Sequence, residues 1–393
     1  MIPEILFFLS LAAIVHSYLF FPWLVNLLSK GKKANQVMYK PEDDLPFVSI
    51  LVSVHNEDEV IITKIRSIYN TLYPLNKFEL LIGSDASTDS TNLICKIYSE
   101  NYDSLNFFPF KVRQGKPAII NNLVDRARGN ILILTDARVF FERETMYELV
   151  RHFRNPEIDI VGGNIINEKV SPKGISMQEK AFMSREIRLK YLEGLIWGKT
   201  MGVYGGVYAI RKEAFTKVPG NFTVDDFFIT MQVLLKKRKV ILDIDAITLE
   251  DVPDDLGVEF KRKIRISAGN FQNLRVFISC LFPPWSALSF VFFSHKVLRW
   301  FGPFFLVMIL ATNIYLAFSS GFFMYLLYIQ TFLLILPIID LILRKINLHI
   351  IILRFVTHFY FMNLALMLGF FRSIFGKKTS IWQPTRRQNI GEH

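Results

Sequence analysis

The sequence predicts a doubly wound, mostly parallel α/β domain with transmembrane helices at both ends of the chain. The chain has 393 residues, of which 51% are hydrophobic and only 21% are charged. Its mean hydropathy is +0.30, and long apolar runs lie only near the two ends. Between them, short apolar runs rich in β-branched residues alternate with helical patterns, which is typical of a parallel sheet covered by helices on both faces.

The first 29 residues (1–29) are predicted to form a retained membrane anchor. From Ile5 to Leu28 the chain is almost entirely apolar, long enough for a helix that spans a hydrocarbon core. Three lysines follow within Lys30–Lys33, and no basic residue precedes the run. A cleavable signal peptide has the reverse polarity, so we expect the N-terminus outside and the lysines on the cytoplasmic side.

Residues 46–275 have the composition of a soluble domain and the length of one α/β unit. Five runs are predicted to be strands: Val48–Val54, Leu80–Gly83, Ile131–Thr135, Ile158–Gly162 and Val240–Ile244. Helical patterns lie between several of them, namely Glu59–Thr71, Ser90–Tyr98 and Pro117–Ala127. Ligands of such sheets bind at the carboxyl ends of the strands.

The C-terminal part of the chain is apolar again. Segment 276–299 contains Pro283–Pro284 and ends in basic residues, which favours a bent interfacial helix, with a membrane span as the alternative. Residues 300–371 hold three runs long enough to span: Trp300–Ser319, Phe322–Leu343 and Ile350–Phe371. One span before the domain and three after it would place the basic tail, 372–393, outside, against the positive-inside rule. Either Val276–Ser294 also crosses or a later segment is re-entrant, and the sequence leaves both open.

The charge distribution and the cysteine content argue against a nucleic-acid-binding protein, a disulfide-rich protein and a cysteine-based zinc site. The formal net charge is +11, and residues 272–393 carry eleven Lys and Arg against two acids. Basic residues beside apolar runs indicate an anionic membrane surface rather than a nucleic acid. Cys95 and Cys280 are the only cysteines, too few for a disulfide framework or a cysteine-based zinc site.

Acidic side chains follow the predicted strands where each strand ends. Glu57 follows the first strand, Asp85 and Asp89 follow the second, and Asp136 follows the third. Carboxylates at that edge can accept hydrogen bonds from a ribose or a base, and one carboxylate can hold a divalent cation whose other ligands are phosphate and water. For Asp89, a helix cap is the alternative.

Three further motifs carry candidate chemistry. Lys116, in Gln114–Asn121, precedes a helical pattern and can place its ammonium group beside a diphosphate. Asp225 and Asp226 begin another helical pattern; adjacent carboxylates raise each other's pKa, so one can cap the helix while the other acts as a general base. In the basic segment 260–272, two arginines three residues apart share a helix face and suit a departing diphosphate, with a lipid-facing basic patch as the alternative.

In this order and within this membrane layout, the motifs resemble those of the membrane-bound family 2 glycosyltransferases, the group that includes cellulose, hyaluronan and poly-N-acetylglucosamine synthases. The resemblance runs from about Val48 to Trp300. It implies a GT-A fold, a nucleotide-sugar donor, a divalent metal (Mg²⁺ or Mn²⁺) and inversion at the anomeric carbon. By position, it implies that Asp85 holds the base or ribose, that Asp136 is the first acid of the metal-binding Asp-x-Asp motif, and that Asp226 is the base.

The chain also departs from the family pattern. Arg138 stands where the second acid of Asp-x-Asp is usual, so metal binding would depend on Asp136 and the diphosphate. Arg262 and Arg265 fall on the Gln and Arg of the family's Gln-x-x-Arg-Trp motif, whose Trp is also replaced. The predicted nucleotide-sugar-binding residues are Glu57, Asp85, Lys116, Asp136, Arg262 and Arg265, with Asp136 also as metal ligand and Asp225 and Asp226 as catalytic residues.

We therefore expect a multi-pass, inverting glycosyltransferase of the cell membrane with a cytoplasmic catalytic domain. It is expected to transfer a sugar, with a UDP-sugar as donor, to a saccharide or lipid-linked acceptor. The first alternative is a processive polysaccharide synthase that also translocates its product. The second is a non-catalytic membrane scaffold with a degenerate nucleotide-binding domain, against which the acids at the strand ends argue.

Overall fold

A computed structural model describes residues 1–167, 176–250, 256–346 and 348–376. These residues fall into two compact units. The sheet unit comprises residues 28–167 and 183–250 of the described chain. The helical unit comprises residues 1–27, 176–182, 256–346 and 348–376.

The sheet unit is built on an eight-stranded, mostly parallel sheet. Its strands are β1 (Val48–Val54), β2 (Phe78–Asp85), β3 (Leu105–Phe110), β4 (Ile131–Asp136), β5 (Val139–Phe141), β6 (Ile158–Asn167), β7 (Val207–Arg211) and β8 (Lys239–Glu250). Their order is β3-β2-β1-β4-β7-β6-β8-β5, and only β7 and β5 run antiparallel to their neighbours. The predicted mostly parallel α/β class is confirmed.

The helices are named in chain order across both units. They are α1 (Ile2–Val15), α2 (Phe21–Leu28), α3 (Ile61–Tyr69), α4 (Thr91–Asn101), α5 (Lys116–Arg126), α6 (Thr145–Arg151), α7 (Ser176–Trp197), α8 (Asp225–Leu235), α9 (Leu256–Val276), α10 (Ala287–Val291), α11 (Leu298–Trp300), α12 (Gly302–Ala317), α13 (Gly321–Lys345) and α14 (Ile351–Phe375). A π-helical segment, His16–Phe20, joins α1 to α2.

The core of the sheet unit includes the contact between β1 and α3. Ile50 and Val52 of β1 and Ile61, Ile65 and Ile68 of α3 belong to one cluster of fully buried side chains. The spacing of the three isoleucines places them on one face of the helix. Each buried aliphatic side chain contributes about 1.5–3 kcal/mol relative to exposure. β1 and α3 therefore both contribute to the buried core of the sheet unit.

The register of the parallel strands brings their carboxyl ends to one edge. Val54 of β1 pairs with Ser84 of β2, one residue before Asp85. Ser53 of β1 pairs with Asp136 of β4. Since β1 lies between β2 and β4, and Asp85 is two residues further along the strands than Asp136, their backbones are about 12 Å apart. The predicted convergence of strand-end acids is therefore present.

The helical unit contains three helical segments long and apolar enough to cross a membrane: Ile2–Leu28, Gly321–Lys345 and Ile351–Phe375. A fourth candidate is bent, because Ala287–Trp300 and Gly302–Ala317 meet at 61°. The predicted span Trp300–Ser319 is shortened to the 16 residues of α12, about 24 Å long. Its start is set by Gly302-Pro303, since proline has no N–H group to continue the preceding helix.

Candidate active site

Three carboxylates of the sheet unit surround the ammonium group of Lys116. Lys116 Nζ lies 2.7 Å from Asp136 Oδ1 and 3.9 Å from Asp225 Oδ2. Asp226, next in sequence, also acts electrostatically on this ammonium group. Asp136 ends β4, Lys116 begins α5, and the two neighbouring acids begin α8. Four of the predicted site residues are thus brought together: Lys116, Asp136, Asp225 and Asp226.

The charges of this cluster determine its protonation. Burial alone lowers the pKa of Lys116, but the attraction of Asp136 and Asp225 outweighs it and raises the pKa above its usual range. Lys116 is therefore charged at neutral pH. Burial, together with the negative charge of Asp225, raises the pKa of Asp226 to about 6, against the opposing effect of Lys116. A carboxylate of this basicity is largely ionised at pH 7 and accepts a proton more readily than an ordinary aspartate.

At the start of α8, the Asp226 carboxylate lies close to the backbone of Gly205. Its Oδ1 accepts a hydrogen bond from the backbone N–H of Phe227 at 2.8 Å. On the other side, a Cβ atom added to Gly205 would lie 3.0 Å from Asp226 Oδ2. Glycine at position 205 therefore keeps the second carboxylate oxygen free of a side-chain clash.

Asp85 holds the loop that delivers Lys116. Its Oδ1 accepts a hydrogen bond from the backbone N–H of Gln114 at 2.7 Å, and its Oδ2 accepts one from Gly115 at 2.9 Å. Gly115 has a φ of 87°, a conformation that glycine adopts without strain. The loop is thereby fixed directly before α5. The predicted contact of Asp85 with a base or ribose stays a prediction.

His55 and Arg113 complete the surroundings of Asp85, and the sequence analysis assigned neither. His55 Nδ1 lies 2.7 Å from the backbone carbonyl oxygen of Asp85, and Arg113 Nη1 lies 2.7 Å from His55 Nε2. A carbonyl oxygen only accepts and a guanidinium group only donates, so these contacts require a neutral His55 with its proton on Nδ1. Arg113 is distant in sequence, so no local pattern signals this arrangement.

Glu57, a predicted donor-binding residue, is paired with Arg138. Arg138 Nε lies 2.8 Å from Glu57 Oε2, and its Nη2 lies 3.7 Å from Glu59 Oε2. Glu57 is only 4% exposed, so its charge requires a partner inside the protein. The arginine that replaces the second acid of Asp-x-Asp therefore neutralises a buried carboxylate.

We expect Arg138→Ala to lower the free energy of unfolding by up to about 3–5 kcal/mol, because it leaves the Glu57 carboxylate buried without its partner. Adding Glu57→Gln to the same chain should recover most of this loss, since an amide has no charge to neutralise. Unfolding of the full-length protein in detergent measures both, with Glu59→Gln as the matched control. Equal stability of the single and double variants would contradict the pairing.

Asp89 caps the start of α4, which the sequence analysis gave as the alternative to a ligand-binding role. Its Oδ1 accepts a hydrogen bond from the backbone N–H of Thr91 at 3.0 Å, at the start of α4. Its Oδ2 accepts one from the backbone N–H of Asp58 at 3.2 Å. Asp89 thus connects the loop after β1 to the loop after β2.

Lys64 is a fully buried lysine beside the turn between β4 and β5. Its Nζ donates hydrogen bonds to Thr135 Oγ1 at 2.8 Å and to the carbonyl oxygen of Val139. Burial lowers the pKa of Lys64 well below its usual range, although the charge of Asp136 opposes this. Its two partners flank residues 136–138, so Lys64 holds both ends of the turn that presents Asp136. The one sequence signal is a lysine on the otherwise apolar face of α3.

Arg262 and Arg265 lie on α9 in the helical unit. Arg262 donates two hydrogen bonds to Glu259, from Nε at 2.8 Å and from Nη2 at 3.0 Å. Its Nη2 also lies 3.6 Å from Glu179. The Arg262 charge is therefore met by carboxylates of its own unit. The predicted contacts of both arginines with a diphosphate stay predictions.

Among the described residues, one group of three acids lies close enough together to hold a metal ion: Glu148, Asp243 and Asp245. Arg151 Nη2 lies 2.6, 2.9 and 3.6 Å from their carboxylates, in that order. The Arg151 guanidinium group therefore supplies, at these three carboxylates, the positive charge that a metal ion would otherwise supply. None of the predicted site residues belongs to this group.

At the strand edge, the donor set fits a divalent cation held mainly by a diphosphate. The Asp136 side chain is 46% exposed, and one of its oxygens bonds Lys116. Arg138 has no atom that can ligate a cation. Asp136 would be the protein's ligand, and Mg²⁺ or Mn²⁺ would take its other oxygens from phosphate and water.

Comparison with known proteins relates the sheet unit to glycosyltransferases. A family model described as glycosyl transferase family 2 matches residues 49–218. The probable glycosyltransferase YdaM of Bacillus subtilis (strain 168) is 27% identical over 252 residues, 61% of this chain and 59% of the relative. The beta-monoglucosyldiacylglycerol synthase of Nostoc sp. (strain PCC 7120) is 30% identical over 122 residues, 30% of this chain and 26% of the relative. The chain spans less than two-thirds of these relatives.

Among solved structures, the mannosyltransferase PcManGT of Pyrobaculum calidifontis, in complex with GDP-Man and Mn²⁺, has a TM-score of 0.75 and 21% sequence identity. The match covers 95% of this chain and 99% of that one. This likeness confirms the expected GT-A fold with its added helices. The comparisons do not single out the cellulose, hyaluronan and poly-N-acetylglucosamine synthases within the wider family. Residues 49–218 thus match the model of family 2 glycosyltransferases.

Proposed function

We propose that the protein transfers a sugar from a nucleotide-sugar donor to an acceptor hydroxyl, with inversion at the anomeric carbon. The observation that carries this proposal is the meeting of Asp136, Lys116, Asp225 and Asp226 at the ends of three elements. Departure of a diphosphate requires positive charge, which Lys116 and a cation at the half-exposed Asp136 would supply. Attack by an alcohol requires a base, which Asp226 would supply.

Lys116 and Asp136 act on the diphosphate. Lys116 is at the N-terminus of α5, where the helix dipole and free backbone N–H groups also favour an anion. A divalent cation at Asp136 supplies Lewis-acid neutralisation of the departing diphosphate. Lys64 holds the β4–β5 turn, and Asp85 holds the loop before α5, so both groups are positioned before substrate binds.

Asp226 acts on the acceptor. The acceptor oxygen attacks the anomeric carbon as the bond from that carbon to the diphosphate oxygen breaks, and the hydroxyl proton passes to Asp226. Asp225 Oδ2 lies 3.9 Å from Lys116 Nζ, and Asp225 precedes Asp226 in sequence. Asp225 is therefore next to both the group that acts on the diphosphate and the group that acts on the acceptor. The negative charge of Asp225 helps to raise the pKa of Asp226, so Asp226 is a stronger base than an ordinary aspartate.

The acceptor is proposed to be a lipid or a lipid-linked saccharide at the cell membrane. Among the residues that the structure describes, three helical segments are apolar and long enough to be membrane-embedded. The Nostoc relative is named as a synthase of a glucosylated diacylglycerol, a lipid. Lys30–Lys33 after the first segment favour a cytoplasmic sheet unit, where nucleotide sugars are available.

Release of nucleoside diphosphate tests the proposal. Full-length protein in proteoliposomes would be incubated with UDP- and GDP-sugars, Mg²⁺ or Mn²⁺, and membrane lipid as acceptor. We expect one donor class to be consumed, at a rate that depends on added lipid. Asp125→Asn, an exposed acid on α5, is the matched control and should leave the rate unchanged. Failure to consume any donor in the panel would contradict the proposed function.

A further inference from the structure

α1 and α12 form an antiparallel pair that defines the depth of the helical unit. A Cβ atom on Gly302, at the start of α12, would lie 3.7 Å from the Tyr18 hydroxyl. At the far end, Phe7 packs edge-on against Phe323, just beyond α12, with ring centres 5.4 Å apart. Arg299 lies over the Tyr18 ring at 5.6 Å. A charged side chain at this level marks the Tyr18–Gly302 end as a polar boundary of the bundle.

The middle of α14 lies at this boundary. A Cβ atom on Gly302 would also lie 3.2 Å from Asn363 Oδ1. The rings of Phe359 and Tyr18 are 5.8 Å apart. Phe359 and Asn363 are at the centre of α14, and the centre of a spanning helix lies about 15 Å from either boundary of the hydrocarbon core. The contacts of α14 are therefore not those of a spanning helix.

α14 also runs across α12 rather than along it. Asn363 is beside Gly302, and Phe370 packs against Phe304 with ring centres 4.9 Å apart. Between these two contacts α14 advances seven residues, about 10 Å, whereas α12 advances two residues, about 3 Å. A helix that crossed the bilayer beside α12 would advance by similar amounts on both.

The direction of α14 follows α9 instead. Ser267 Oγ donates a hydrogen bond to the carbonyl oxygen of Leu366 at 2.9 Å, and Arg275 Nη1 donates one to that of Ser373 at 3.0 Å. The two helices therefore run parallel, side by side. The charged residues of α9 are Glu259, Lys261, Arg262, Lys263, Arg265 and Arg275. A helix with this many charges is not stable in hydrocarbon, so α14 lies at a similarly shallow depth.

The buried and the exposed side chains of α14 differ in polarity. Its buried residues are Arg354, Thr357, His358, Asn363, Ala365, Gly369 and Ser373. Its exposed large apolar residues are Ile351, Ile352, Phe355, Leu364, Leu368, Phe371, Ile374 and Phe375. Shortly after α9, Phe282 and Trp285 are 74% and 84% exposed, as aromatic anchors at a membrane interface are. A helix whose exposed large side chains are apolar and whose buried side chains are mostly polar presents an apolar surface to lipid.

We propose that α14 lies in the interface of one membrane leaflet and does not cross the bilayer. Its exposed apolar side chains enter the acyl-chain boundary, and Arg275 and Arg372 meet anionic lipid headgroups. The segment Ile2–Leu28, α12 and α13 then supply the three crossings, so the end of α14 stays on the side of the membrane where Lys30–Lys33 lie. Arg372, near the end of α14, is then on that side, which satisfies the positive-inside rule. This inference does not depend on the reaction catalysed.

Cysteine labelling of the full-length protein tests the two topologies. In a Cys95→Ala, Cys280→Ala background, single cysteines are introduced as Leu348→Cys before α14, Gly376→Cys after it, and Glu100→Cys on the sheet unit. An impermeant maleimide should label all three from the same side of sealed vesicles. Ser319→Cys, before α13, should label from the opposite side and shows that the assay distinguishes sides. Labelling of positions 348 and 376 from opposite sides would overturn the proposal.

Depth in the bilayer gives an independent result. A nitroxide would be attached at Leu364→Cys, in the middle of α14, or at Phe332→Cys, in the middle of α13; both native side chains are exposed. The Leu364 label should lie within about 5–10 Å of the headgroup boundary and collide with a water-soluble nickel chelate. The Phe332 label should collide with oxygen and be protected from nickel. Equal, deep positions for both labels would overturn the proposal.

Discussion

Asp226→Asn is expected to lower turnover by about 10²–10⁴-fold while the affinity for the donor changes little. The amide keeps the shape of the side chain and removes its basicity, so the acceptor hydroxyl loses its proton acceptor. Asp225→Asn is the matched comparison and should cost less, because Asp225 contributes charge beside Lys116 rather than accepting the proton. Steady-state rates at saturating donor measure both. Wild-type turnover in Asp226→Asn, with an inactive Asp225→Asn, would reverse the two roles.

The same residue predicts the acidic side of the pH profile. The pKa of Asp226 is raised to about 6, and a general base works in its deprotonated form. Turnover should therefore be close to its maximum above this pH and fall towards tenfold per pH unit below it. This acidic limb should disappear from the residual activity of Asp226→Asn. A limb that persists unchanged in that variant would assign the titration to another group.

Asp136→Asn is expected to reduce turnover by about 10³-fold or more and to remove activation by Mg²⁺ or Mn²⁺. Arg138 is paired with Glu57 and supplies no ligand, so Asp136 is the one carboxylate of its motif available to a cation. Initial rates over a range of metal concentrations measure the effect. Asp125→Asn is again the control, because its exposed carboxylate pairs with Lys217. Full wild-type activity in excess chelator would contradict a role for metal.

The parallel half of the sheet was predictable because its strands carry their own signal. β1 has the predicted bounds, and β2 and β4 include the predicted runs, since each is a continuous apolar segment buried on both faces. β3, β5 and β7 were not predicted. β5 has three residues, β3 contains Pro109, and β7 has five residues whose strand geometry comes from pairing with β4 and β6.

At the site, the acids were predictable and their partners were not. Asp136 and Asp85 follow strands whose register is fixed by buried side chains, so their positions follow from local sequence. Lys116 was expected beside a diphosphate, but its distance from Asp136 is set by a loop that Asp85 fixes from another strand. Lys64 reaches the β4–β5 turn from α3, 71 residues earlier than Thr135, and only the fold brings them together.

In the helical unit, too, the sequence predicts which segments are apolar but not which helices they contact. Length and hydropathy identify Ile351–Phe375 as apolar enough to span. The sequence predicts that Ile350–Phe371 is long enough to do so and leaves open that a later segment is re-entrant. The depth and direction of a helix depend on its neighbours, and those of α14 are the polar helix α9 and the Tyr18–Gly302 boundary. Such contacts have no counterpart in a hydropathy profile.

The anomeric configuration of the product tests the central claim most directly. Full-length protein in proteoliposomes would be supplied with the α-linked donor that it consumes, and the purified product would be analysed by proton NMR. A single displacement assisted by Asp226 predicts a β-linked product, together with one nucleoside diphosphate for each sugar transferred. An α-linked product, or donor consumption with no sugar transferred to any acceptor, would contradict the account.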